Sequence, residues 1–132
     1  MIYRLSFASI EVISSHIAEI IVDEGVEISL EMCEEYDALL LELFPHPYTV
    51  IVNRINEFSY TYEAGLLLGS LEKRIATAFI VYNESGENRI QKFQSMRKQD
   101  TLNIRIFSGF DLGRRKSIEW LESELAKIRC SS

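Results

Sequence analysis

Residues 48–52 read Tyr48-Thr49-Val50-Ile51-Val52, a run of β-formers with Pro45-His46-Pro47 before it and Asn53-Arg54 after it. A run this apolar on both faces has no solvent side, so the strand belongs in the middle of a sheet covered by helices. Ile75 to Tyr82 repeats the pattern and reads as a second buried strand, with a helix from about Tyr62 to Lys73 between the two. Buried strands alternating with helices argue an α/β arrangement with parallel pairing.

Toward the N-terminus, Leu30, Cys33, Leu40, Leu41 and Phe44 recur at helical spacing, which predicts a helix from Leu30 to about Phe44. Ser29 is its expected N-cap, Glu31, Glu34 and Glu35 suit the positive end of the dipole, and Pro45 stops it. Further upstream, Phe7–Ile13 and Ile17–Val22 are strands joined at Ser14-Ser15-His16, a connection short enough for a hairpin. Toward the C-terminus, Asn83-Glu84-Ser85-Gly86 turns the chain into a helix carrying Ile90, Phe93 and Met96, and Leu102–Phe107 alternates as a strand. Asp111 is the expected cap of a last helix with Ile118, Leu121, Leu125 and Ile128 on one stripe and Glu119, Glu122, Glu124 and Lys127 outside it. The expected order is ββαβαβαβα: one α/β domain over residues 1–132, an opening hairpin and then a mostly parallel sheet covered by helices.

With 132 residues, 47% of them hydrophobic, the chain can bury a core without a disulfide or metal staple. Its 6 Gly and 2 Pro are too few for low-complexity material. The net charge of −6 argues against a nucleic-acid partner. The charge is uneven, −10 over residues 1–66 and +4 over residues 67–132. Such asymmetry reads as the water-facing sides of helices or, functionally, as opposite patches that could join two copies in a homodimer. Cys33 and Cys130 stand alone, without the CxxC or Cys/His spacing of a zinc site. Residues 1–6 lack the apolar core of a signal peptide, and no stretch approaches the ~18 apolar residues of a membrane span. The expectation is a cytoplasmic protein with no membrane span.

No catalytic set emerges. His16 sits at the hairpin turn and His46 between two prolines, both away from the C-terminal ends of central strands where α/β sites form. His16 and Glu19, three apart on a strand, point to opposite faces and cannot share a metal; Glu19 reads as an exposed strand glutamate. Phosphate-cradling GxxxxGK[ST] and GxGxxG motifs are absent. Gly65-Leu66-Leu67-Leu68-Gly69 reads as close helix packing, and the pairs Glu34-Glu35 and Glu119/Glu122 read as solvated helix faces. These features predict no enzyme, no cofactor and no metal.

Arg114-Arg115-Lys116 follows the Asp111 cap, where cations oppose the helix dipole at a cost of about 0.3–1 kcal/mol each. An anionic head group or an acidic partner surface would offset that cost. In a parallel sheet the C-terminal strand ends gather at one edge. That edge would collect Asn53, Arg54, Asn56, Ser59, Thr61, Asn83, Ser85, Ser108, Asp111 and Arg114, hydrogen-bonding groups suited to recognition.

The order of elements, the strand 48–52 leading to Phe58-Ser59-Tyr60-Thr61, the strand Ile75 to Tyr82, and the ending Arg105-Ile106-Phe107 … Ile118-Glu119-Trp120-Leu121 resemble the SpoIIAA-like branch of STAS domains, whose members in turn resemble the CRAL-TRIO lipid-binding fold. Anti-sigma-factor antagonists of that family carry Asp-Ser-Ser-Gly-Leu-Gly at the start of the helix after the third strand, and phosphorylation there decides which protein is bound. Here the stretch reads Tyr60-Thr61-Tyr62-Glu63-Ala64-Gly65; only Thr61 and Gly65 fit, so Thr61 is the candidate phosphorylation site that the resemblance implies. Glu57 and Glu63 would repel a phosphate there. The resemblance implies a non-enzymatic interaction module with a protein partner; the strand-end edge and the basic cluster supply its candidate contacts, Asn53, Arg54, Ser59, Thr61, Asn83, Ser85, Arg114, Arg115 and Lys116. The alternative is a carrier for a small apolar or lipid-like ligand with an anionic head.

Overall fold

The computed structural model describes residues 2–67, 74–83, 88, 90, 91, 103–110 and 112–131, without the side chains of 65–67 and 128–131. Its strands are β1 (Ile2–Arg4), β2 (Ala8–Ser14), β3 (Ile17–Val22), β4 (Glu27–Ile28), β5 (Tyr48–Asn53), β6 (Ser59–Tyr60), β7 (Arg74–Val81) and β8 (Ile104–Ser108). The helices are α1 (Leu30–Leu43), α2 (Tyr62–Leu67) and α3 (Gly113–Ser131). Residues 88, 90 and 91 are helical and Ile90 is buried. Phe93, Met96, Gly69, Lys73, Ser85 and Asp111, with the side chains of Gly65, Ile128 and Cys130, lie outside the described residues.

Six strands form one sheet in the order β1-β2-β3-β5-β7-β8. The β1–β2 and β2–β3 pairs are antiparallel, and the β3–β5, β5–β7 and β7–β8 pairs are parallel. The sheet is therefore mixed: the expected hairpin is there, and a first strand that the sequence left undefined extends its antiparallel half. β4 and β6 pair in parallel as a separate two-stranded ribbon.

Alternation along the strands divides the core in two. Ala18, Ile20 and Val22 of β3 and Val50 of β5 pack with Cys33, Tyr36 and Leu40 of α1 and with Phe44, its C-cap. Ile17 of β3 and Ile51 of β5 point the other way and pack with Ala76, Ala78 and Ile80 of β7 and Leu121 and Leu125 of α3. Helices α1 and α3 thus lie on opposite faces.

The α1 boundaries follow the local chemistry. The Ser29 hydroxyl accepts from the Met32 N–H, and the helix ends ahead of Pro45 with the Phe44 N–H donating to Leu40 O. Its buried stripe is Cys33, Tyr36, Leu40 and Phe44, steps of three and four residues. Leu41, expected on that stripe, is one residue (about 100°) round from Leu40 and is exposed. On α3, Leu121 and Leu125 are buried as expected and Ile118 is half-buried. Glu124 is not on the outer face: it is half-buried, accepting from Asn103 Nδ2 and paired with Lys127. At Gly113 a Cβ would stand 2.3 Å from Ser108 O and 3.3 Å from Ile80 Cγ2, so the first turn of α3 presses directly on the strand ends.

Candidate functional site

Where β5, β7 and β8 end, an open groove of about 470 Å³ runs between the strand termini and the start of α3. Asn53, Tyr82, Gly109, Leu112, Arg114, Arg115 and Ile118 line it. Two of these, Asn53 and Arg114, belong to a polar network. Glu19 of β3 is only 4% exposed, on the α3 face of the sheet like Ile17 and Ile51. One of its carboxylate oxygens accepts from Asn53 Nδ2 at 3.0 Å and the other from Arg114 Nε at 3.1 Å. Glu11, the cross-strand partner of Glu19 on β2, lies 3.8 Å from Arg114 Nη2. Two carboxylates side by side on a ladder repel, and Arg114 offsets that repulsion by reaching both.

This network corrects the expectation for Glu19, which is buried rather than an exposed strand glutamate. The signal was present: Ile17-Ala18-Glu19-Ile20-Ile21-Val22 is apolar on both faces apart from that one acid. A lone carboxylate in a strand with no solvent side needs an internal cation. The network also supplies a carboxylate for the cations that oppose the helix dipole. Arg114 is held by Glu19, and Arg115 pairs with Glu119 one turn on. Lys116 is exposed.

Many hydrogen-bonding groups expected to face a partner instead tie loops together. Arg54 is buried, its guanidinium donating to Phe58 O at 2.9 Å and lying 4.0 Å from the Phe58 ring centroid. Asn56 donates to Val22 O, and the exposed Asn83 reaches Glu57. Ser59, half-buried in β6, donates its N–H to Val26 O. Thr61, also half-buried, caps α2 by accepting from the Ala64 N–H at 3.2 Å. Ser108 Oγ accepts from the Phe110 N–H. Of the predicted set, Asn53, Arg114 and Arg115 meet in the groove; Arg54, Ser59 and Thr61 do not line it.

The same edge presents large apolar side chains to water. Phe110 is 81% exposed, Leu112 65% and Ile55 59%. Phe110 stands edge-on to Tyr82 at 5.7 Å, and Gly109 lies so close to the Tyr82 ring that a Cβ there would approach it to 2.1 Å. Leu112 has φ +53°, the left-handed region, which costs a leucine roughly 1–2 kcal/mol. The loop thus holds two apolar side chains outward in a strained backbone, a feature that concentrates at functional sites. Nothing in the local sequence marks Phe110 and Leu112, because their exposure depends on the left-handed backbone at Leu112.

At the opposite end of the strands, His16 and His46 stack at 4.3 Å beside Phe44 and Tyr48. Stacked rings aim their nitrogen lone pairs in parallel planes, so the pair does not converge on one metal. Among the described residues no three His, Cys, Asp or Glu side chains form a metal-binding group, and no helix is long and apolar enough to cross a membrane. Burial pushes the Cys33 thiol up to about 11, well away from the reactive thiolate range. Comparison with protein-family models, with curated proteins and with solved structures finds no match for this chain.

Proposed function

We propose that this chain is a cytoplasmic, non-enzymatic interaction module of STAS-like architecture that engages a protein partner through the edge where β5, β7 and β8 end. The observation that carries the reading is the pair Phe110 and Leu112, held outward beside the groove by a loop with a left-handed leucine. Exposed aromatic and aliphatic groups next to arginines match the composition of protein interfaces. The mixed sheet with an opening antiparallel hairpin and parallel strands behind it is consistent with the STAS resemblance. The carrier reading has less support: the groove is open to solvent, and Arg114 and Arg115, which would hold an anionic head, already have carboxylate partners.

The test compares two exposed leucine or aromatic sites. Phe110→Ser and Leu41→Ser should both leave folding intact by circular dichroism, because neither side chain is buried in the core. Affinity purification from the host should then lose a specific co-purifying protein with Phe110→Ser and retain it with Leu41→Ser. Equal retention by both variants would refute this edge as the docking surface.

A further inference from the structure

We propose that the buried edge of Arg74, together with the Tyr48 hydroxyl, binds a small oxyanion, a carboxylate or a phosphate group. The cluster lies at the first residues of β5 and β7, the opposite end of the strands from the groove, and is independent of the interaction reading. Arg74 and Tyr48 are neighbours on the ladder, and Tyr36 of α1 faces them. The guanidinium carbon lies 5.2 Å from the Tyr36 ring centroid and 5.9 Å from that of Tyr48.

Arg74 Nε and Nη2 and Tyr48 Oη are buried and, among the described residues, have no hydrogen-bond partner. Nε and Nη2 form the side edge of the guanidinium, whose two parallel N–H bonds match the two oxygens of a carboxylate or phosphate. Aromatic rings attract the cation through its plane and leave these in-plane donors unsatisfied. An arginine cannot shed its proton to escape burial, so a buried, unpaired guanidinium is a standing electrostatic cost that an anion removes. Asp37, whose charge also acts on Arg74, makes no ion pair with it among the described residues. Burial pushes the Asp37 carboxyl above its ordinary value more than Arg74 pulls it down. The phenol oxygen of Tyr48 lies toward the guanidinium, and the two fork N–H groups with the phenol O–H beside them remain for an external oxyanion.

The experiment follows the Arg74 Nε–H resonance of the isotopically labelled full chain during titration with inorganic phosphate, and separately with acetate, at ionic strength held constant with chloride. A saturable shift with phosphate assigns a phosphate-type ligand, and one with acetate alone a carboxylate. The midpoint should weaken about tenfold in Arg74→Lys, which keeps the charge and loses the fork, the scale of a hydrogen bond to a charged group. Tyr48→Phe should weaken it severalfold and serves if Arg74→Lys does not fold; in Arg74→Lys the Tyr48 ring signals report. Asp37→Asn, which removes a negative charge that acts on Arg74, should tighten it slightly. A flat response to both anions, or a response that Tyr48→Phe does not alter, would overturn the proposal.

Discussion

On the α1 face, β3 presents Ala18, Ile20 and Val22 and β5 presents Val50, a continuous apolar surface against Tyr36, Leu40 and Phe44. On the α3 face the same two strands present Ile17 and Ile51 and then Glu19 and Asn53. Along these residues the first face is satisfied by close packing, and its polar groups are confined to the Arg74, Tyr36 and Tyr48 cluster at the start of the strands. The second carries a buried carboxylate that, among the described residues, pairs with Arg114, so the start of α3 is positioned by charge as well as by packing. The difference places the groove and its charged network on the α3 face, at the C-terminal ends of the strands.

The largest expected effect breaks the apolar face. Phe44 is 1% exposed, and Phe44→Ala should cost about 3–5 kcal/mol in chemical denaturation, the range for buried phenylalanines. On the polar face, Arg114→Ala leaves Glu19 buried beside Glu11 without its cation. The cost should be about 1–2 kcal/mol, below the ~3–5 kcal/mol of a fully buried pair because the Arg114 side chain is half exposed. Glu19→Gln removes the buried charge and keeps an acceptor for only one of the two donors, yet should cost less than Arg114→Ala, which leaves the charge buried without its cation. If the order is reversed, Arg114 is not what compensates the carboxylate.

Leu112→Gly sharpens the comparison differently. Relief of the left-handed leucine should raise stability by up to about 1 kcal/mol in the same denaturation assay, while partner capture falls with the lost side chain. A destabilised Leu112→Gly would mean that the exposed leucine packs within this chain.

The smallest effect concerns pH. Burial raises the Asp37 carboxyl above its unfolded value. A carboxyl raised in the folded state favours folding when protonated, a contribution present below the unfolded pKa and lost as pH rises through the folded one. At neutral pH the ionised Asp37 therefore weakens the fold. Asp37→Asn should raise the melting temperature at pH 7 by the equivalent of about 0.5 kcal/mol or less, and the gain should vanish toward the acid range. An equal gain at both pH values would remove the charge as its cause.

Local signals carried much of the fold. Ser29, Pro45, the Ser14-Ser15-His16 turn and the apolar runs at 48–52 and 75–82 each state a boundary or a burial pattern that neighbours in sequence determine. Leu41 was misplaced because a sequence stripe with apolar residues at both 40 and 41 does not say which faces the core; Tyr36 on the same side as Leu40 decides it. The edge at the strand ends was legible as a location, from the alternation of strands and helices. Its chemistry was not, since Arg114 meets Glu19 across 95 residues of chain and Arg54 finds Phe58 O only through the fold of the intervening loop. Polar residues were read as facing a partner when folding had already used many of them on one another.

The most direct test of the central claim places a photo-crosslinking amino acid at position 110, and in a second protein at position 41, in living host cells. Crosslinks from position 110 to one discrete protein, with none from position 41, are the predicted result. The same pattern at both positions, or crosslinks from position 41 alone, would contradict the assignment of the strand-end edge as the interaction surface.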